Sequence, residues 1–317
     1  ADSKLYLDIY IYGLPFVFLY NVATGIFSAL GDSKTPFIFL AASSTSNIFM
    51  DILFVTAFKM GVAGVAWATF LCQGVSCVLA VLFVLRRLRG VETDEKSALF
   101  SFPLFCRIAA IAVPSILQQS FISVGNIVIQ GVINSFGSGV MAGYSASVKL
   151  NNLVITSLTT LGNGISNFTA QNIGAEKPER VPQGYRAANR MIVLISVLLC
   201  VLLELFRTPI IAMFLDAAPS PETVATGEHY LQFIGFFFCF IGFKMAVDGI
   251  LRGAGDVKMF TIANLVNLAI RVLLSWLCAP LWGVEIVWYA VPVGWLANFV
   301  ISFAHYRTGK WKEKRIA

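Results

Sequence analysis

"SALGDSKTPFIFLAAS" (residues 28–43) and "ILRGAGDVKMFTIAN" (250–264) carry the same punctuation, Gly-Asp-x-Lys, each time between two long apolar runs. Farther along, "MGVAGVAWAT" (60–69) pairs with "WGVEIVWYAV" (282–291). Two stretches more than two hundred residues apart thus share the order run, turn, run, turn, run. That is an internal repeat, and it organises the rest of the chain.

Working outward, apolar runs long enough to cross about 30 Å of hydrocarbon occur near 5–30, 37–57, 64–86, 103–133, 139–173, 189–212, 229–252, 257–280 and 284–306. The sequence therefore predicts an all-α, polytopic membrane protein with about nine spans. Pro15, Pro114 and Pro292 fall inside runs and mark kinks, because neighbouring helices can satisfy the freed backbone groups. Composition agrees. The chain is 57% hydrophobic and 13% charged, about half the charge of an ordinary soluble domain. The six cysteines lie in or beside apolar runs without CxxC spacing and read as small core residues. No GxxxxGK[ST] loop, His-rich cluster or paired-carboxylate cluster appears. An enzyme or an ATP-driven pump is therefore not expected, nor is a cofactor. The basic surplus lies on no soluble domain, so no nucleic-acid partner is expected either.

The charge distribution instead predicts topology. Placing loops on alternate sides puts 17 of the 23 Lys and Arg residues on one side, which the positive-inside rule makes cytoplasmic. The C-terminus falls on that side, so a multi-pass protein of the cell membrane with a cytoplasmic C-terminus is expected. With the first three runs repeated as the last three, runs four to six lack a counterpart. The sequence reading expects one about 130 residues upstream, giving twelve helices in two six-helix lobes related by an axis along the membrane normal. On that plan residues 1–90 are the second half of an N-terminal lobe, 91–102 a cytoplasmic linker, and 103–317 a complete C-terminal lobe.

Within the second run, "NIFMDILFV" (47–55) places Asn47 and Asp51 one helical turn apart on one face. A carboxylate there costs about 2.5–3.5 kcal/mol on insertion scales, so intramembrane acids are functional-site hypotheses by default. The competing reading is a structural acid bonded to a neighbour. Counting residues at about 1.5 Å each from the outer surface puts Asp51 and Thr69 at similar depth, roughly 8–9 Å. Three oxygen-bearing groups at one level suit Na⁺ or H⁺. Asp248 and Lys244 are spaced for an i,i+4 pair, either structural neutralisation or coupling. Lys149 and Arg271 fall near mid-depth without an obvious local partner and are candidates to line a cavity. Gln118, Gln119 and Asn134, on a polar face of the fourth run, are candidates either for interhelical bonds or for cargo contact.

The two Gly-Asp-x-Lys turns and "QNIGAEKPERV" (171–181) resemble the multidrug and toxin extrusion (MATE) family. The resemblance implies a secondary antiporter that exports amphipathic, often cationic compounds in exchange for Na⁺ or H⁺ by rocking two lobes. It implies a monomer whose partners are the lipid bilayer and a small amphipathic molecule. In many prokaryotic members the cation site includes an Asn and an Asp one turn apart and a Thr on the next helix, matched here by Asn47, Asp51 and Thr69. Aligned on Gly-Asp-x-Lys, the second repeat sets Arg271 opposite Asn47 and Ser275 opposite Asp51; with Asn267 opposite Asn47 instead, Asp51 meets Arg271, and either way a single cation site is expected. The runner-up is a flippase for a lipid-linked sugar, with Lys149 and Arg271 meeting its pyrophosphate.

Overall fold

A computed structural model describes residues 2–90, 100–215 and 220–312. The expected linker at 91–102 falls mostly outside these residues. The chain divides into two compact units, 1–99 and 100–317.

The first unit holds α1 (Asp2–Ala29), α2 (Lys34–Ile52), which runs on into a π-helical turn at Leu53–Ala57, and α3 (Gly61–Leu88). The third helix packs along both others, while α1 and α2 scarcely meet. Ala23, Phe27, Ala80 and Val84 form the small core between α1 and α3.

The second unit holds α4 (Phe102–Asn134), α5 (Ser138–Gly174), α6 (Val181–Ala212), α7 (Pro221–Gly235), α8 (Phe238–Gly253), α9 (Val257–Trp282) and α10 (Glu285–Thr308). Helices α7 and α8 bend by 55° at a short break and make one interrupted span. The helix α10 packs along α8 and α9, which touch each other little. This repeats the arrangement of α1, α2 and α3.

The repeat extends to backbone detail. Gly31 (φ 79°) and Gly255 (φ 77°) are both left-handed, a conformation glycine adopts without Cβ penalty. The next residue closes the same bond at each end, Asp32 N to Phe27 O at 2.9 Å and Asp256 N to Leu251 O at 2.8 Å. Both are Schellman caps that satisfy an orphaned helix carbonyl. The aspartates then diverge. Asp32 caps the start of α2 by accepting from Thr35 N and Thr35 Oγ1, and these bonds hold its carboxyl below the usual range. Asp256 instead meets His305 Nε2 of α10 at 2.6 Å.

Seven described helices are long and apolar enough to cross a membrane, and the bent α7–α8 pair makes an eighth. The ninth expected span coincides with α5, whose 37 residues reach about 55 Å but are too polar to qualify by composition. The reason is burial: α5 packs against α6, α7 and α8, so neighbouring helices surround many of its polar side chains. Lipid-facing helices look different. On α6, Leu194, Leu198 and Leu205 are exposed.

Candidate functional site

The first unit brings its polar groups to the α2–α3 seam. Two contacts fix the antiparallel register there. Ser43 Oγ donates to Cys72 O at 3.3 Å, and Gly64 lies against Phe54, whose Cβ a side chain at Gly64 would meet at 3.0 Å. Between these points, Thr69 falls level with Asn47 and about one turn from Asp51, not at the depth of Asp51 as counting predicts, because α3 begins at Gly61 and not near residue 64. The Cys72 thiol on α3 lies beside the Asn47 amide and feels the charge of Asp51. Asn47, Asp51 and Thr69 are half-buried.

Their bonding is incomplete. Thr69 Oγ1 donates to Val65 O at 2.9 Å, which leaves its lone pairs free to accept. Among the described residues, Asp51 Oδ1 and Asn47 Nδ2 are buried without a hydrogen-bond partner, as are Gln73 Oε1 and Thr24 Oγ1. Buried polar atoms are ordinarily paired, so the unpartnered Asp51 Oδ1 calls for an explanation. Carboxylate, amide and hydroxyl oxygens are hard donors of the kind hard cations choose.

Two features here were not anticipated from the sequence. Gln73, one turn beyond Thr69 on α3, faces α1, where a Cβ at Gly13 would come within 2.9 Å of its Oε1. Its i,i+4 spacing from Thr69 was the available signal. The π turn at Leu53–Ala57 follows Asp51 directly, with Phe58 N bonded to Leu53 O at 3.2 Å. Such turns occur often at functional sites, and nothing in the "LFVTA" composition distinguishes one from an α-turn.

The second unit encloses a cavity of about 580 Å³ among α4, α5, α8 and α9, with contributions from α7 and α10. Gln118, Gln119, Lys244, Asp248 and Arg271 line it; Lys149 and Asn134 do not. Lys149 is exposed on a face of α5 turned away from the cavity-lining Val148, Asn151, Asn152 and Ile155. Asn134 sits at the end of α4, bonded to Gln130 Nε2 at 2.9 Å.

The i,i+4 pair is formed: Lys244 Nζ lies 3.1 Å from Asp248 Oδ2, both side chains buried. It belongs to a larger network. Lys244 also donates to Asn264 Oδ1 at 2.8 Å, Asn264 Nδ2 donates to Asp248 Oδ2 at 3.1 Å, and Ser302 Oγ donates to Asp248 Oδ1 at 2.7 Å. One carboxylate thus ties α8, α9 and α10 together. Toward the Gly-Asp turn, Arg252 Nη2 donates to Asn163 Oδ1 at 2.5 Å and its guanidinium lies over the Phe260 ring. Deeper in the cavity, Arg271 Nε, Asn267 Oδ1 and Gln118 Oε1 are buried without partners among the described residues. The Gly31–Gly255 match places Arg271 and Ser275 at the positions of Asn47 and Asp51, and Ser275 Oγ is also unpartnered. Both repeats keep incompletely bonded polar groups at this level, of opposite charge.

The described residues form an all-helical, multi-pass membrane protein with polar groups inside membrane-length helices. The MatE family model matches residues 114–277, and the chain belongs to that family of transporters. The model of the lipid II flippase MurJ matches residues 3–137. The chain is 29% identical over 321 residues to the probable multidrug resistance protein YpnP of Bacillus subtilis (strain 168), covering 99% of this chain and 70% of that one. In structure it is similar to a MATE transporter in the bent conformation, with TM-score 0.85 at 20% identity over 98% of this chain and 69% of that one. It is also similar to a MOP superfamily transporter from Pyrococcus furiosus, with TM-score 0.88 at 19% identity over 98% and 70% of the two chains. At these identities the structural likeness speaks to fold alone. The relatives are transporters and not enzymes.

Proposed function

We propose that the protein is a secondary antiporter that exports amphipathic small molecules in exchange for Na⁺ or H⁺. The observation that carries this reading is Asp51, whose Oδ1 is buried in a membrane-length helix without a hydrogen-bond partner, beside Asn47. A lone carboxylate in hydrocarbon is costly, and a bound cation or proton removes that cost. Asn47 and Thr69 supply further oxygens, and Gln73 lies one turn away. The name of the YpnP relative supports drug-like cargo.

Coupling requires that cation and cargo favour different conformations, because a ligand shifts an equilibrium only by its difference in affinity between states. The cation must therefore lose ligands as the protein alternates access between the two sides. The seam between α2 and α3, with its π turn beside Asp51, is where such a change would be felt. Residues 1–90 act in this reading as half of one lobe and 103–317 as the other lobe, in a monomer. The protein resides in the inner membrane with its C-terminus in the cytoplasm.

The test is efflux of a fluorescent amphipathic compound from proteoliposomes under imposed Na⁺ or H⁺ gradients. Efflux should follow one of the gradients and fall below about one-tenth in Asp51→Asn, as loss of the coupling charge demands. Undiminished gradient-driven efflux in a well-folded Asp51→Asn protein would overturn the assignment.

A second reading, a flippase for a lipid-linked sugar, is favoured by the MurJ model over residues 3–137 and by the unpaired guanidinium of Arg271. It predicts the reverse pattern: activity lost on Arg271→Ala combined with Lys149→Ala and kept on Asp51→Asn. The exposed position of Lys149, outside the cavity, weighs against it.

A further inference from the structure

We propose that the cavity of the second unit receives an amphipathic organic anion, its phosphate or carboxylate held by Arg271. Four charged side chains line this cavity: Lys244, Asp248, Arg252 and Arg271. The single acid is already used, since Asp248 is paired with Lys244 and bonded by Asn264 and Ser302. Among the described residues Arg252 donates to a neutral amide, Asn163, and feels the charge of Asp248 without an ion-pair contact to it. Arg271 has no ion pair or hydrogen bond among the described residues, and its Nε is buried. The cavity therefore carries two guanidinium charges in excess.

That excess cannot be relieved by proton loss, because arginine stays protonated in proteins. Nor is Arg271 near a helix end. It lies about 21 Å along α9 from Val257 and about 17 Å from Trp282. An unpaired cation at that depth is as costly as an unpaired acid, and an anionic group, which guanidinium binds in a planar fork, removes the cost. An organic cation placed here would meet like charge instead.

The remaining walls describe the rest of the ligand. Ile122, Val148, Ile155 and Leu268 give partly exposed apolar surface for the ligand's body, while Tyr144, Tyr230 and Trp295 border the cavity from within the core. Asn267 Oδ1 and Gln118 Oε1 are acceptors without donors, so hydroxyl or amide hydrogens on the ligand would satisfy them. Naming this ligand as exported cargo rests on the transport reading above; its binding does not.

Direct binding separates the two. The purified protein in detergent is titrated with 1-naphthyl phosphate, read by quenching of tryptophan fluorescence, Trp295 lying in the cavity wall. Saturable binding is expected. It should weaken roughly 10-fold or more in Arg271→Gln, as truncating one member of a buried charge pair does, recover in part in Arg271→Lys, and be unchanged in Asp51→Asn. Arg271→Lys keeps the charge and guards against mistaking misfolding for lost recognition. If a polyprenyl pyrophosphate in the micelles binds through Arg271 and the free phosphate does not, the anion pocket stands and its ligand is a lipid headgroup. If neither anion binds, or if binding is indifferent to both Arg271 variants while tetraphenylphosphonium binds, the proposal is overturned. Efflux insensitive to Asp51 would sink the coupling scheme and leave this result intact.

Discussion

At the scale of single residues, Asp248 shows what a buried charge requires. Its two oxygens take a cation, an amide and a hydroxyl from three helices. Removing one partner of such a buried pair strands the other in low dielectric, at a cost of about 3–5 kcal/mol, while an apolar replacement of both members is often neutral. Asp248→Ala should therefore lower the thermal unfolding temperature in detergent sharply, and Lys244→Met with Asp248→Leu should restore most of the loss. Equal destabilisation by the single and double variants would show that Asn264 and Ser302, and not the ion pair, carry the effect. The pair itself was legible, because i,i+4 neighbours meet on any α-helix. Asn264 and Ser302 were not, since 16 and 54 residues separate them from Asp248. The face that Lys149 presents was not legible for a similar reason. Depth along a helix follows from counting once its start is fixed, but the face that meets a cavity depends on how neighbouring helices rotate.

At the scale of the element, the interface between α5 and α8 depends on residues with little or no side chain. A Cβ at Gly249 would come 2.3 Å from Gly162 O, and one at Gly253 would come 2.2 Å from Ser166 O. Close approach through small residues is how helices associate without a hydrophobic drive. Gly249→Val should destabilise the second unit by about 1–3 kcal/mol or more through overpacking, seen as a lower unfolding temperature, whereas Gly131→Val, with open space around its Cβ position, should not. Other helices break their regularity for identifiable reasons. The non-helical φ of −121° at Phe206 in α6 comes just before Pro209, which cannot donate to the preceding turn. Proline announces that kink in the sequence; the break between α7 and α8 at Phe236–Phe237 has no such herald.

At the scale of the whole molecule, the orientation in the membrane is open to direct test. The proposed orientation places Lys59, in the α2–α3 turn, outside and Lys310, after α10, inside; both are exposed. In a background without the six native cysteines, Lys59→Cys in intact cells should react with a membrane-impermeant maleimide. Lys310→Cys should react only after the cells are opened. The opposite pattern would invert the topology and, with it, the direction assigned to transport.

The sequence by itself determined the helical membrane class, the repeat of the first three spans in the last three, the Lys244–Asp248 pair and the family resemblance. Each of these depends on composition, on the 3.6-residue period or on local turn chemistry, all of which act between residues close in the chain. Only the tertiary structure decided which polar groups remain unpartnered, that Gln73 turns toward Gly13 on α1, that Arg271 and not Lys149 lines the cavity, and that α5 is wrapped by other helices. Those outcomes come from the rotation and register of packed helices, set by contacts between residues far apart in sequence.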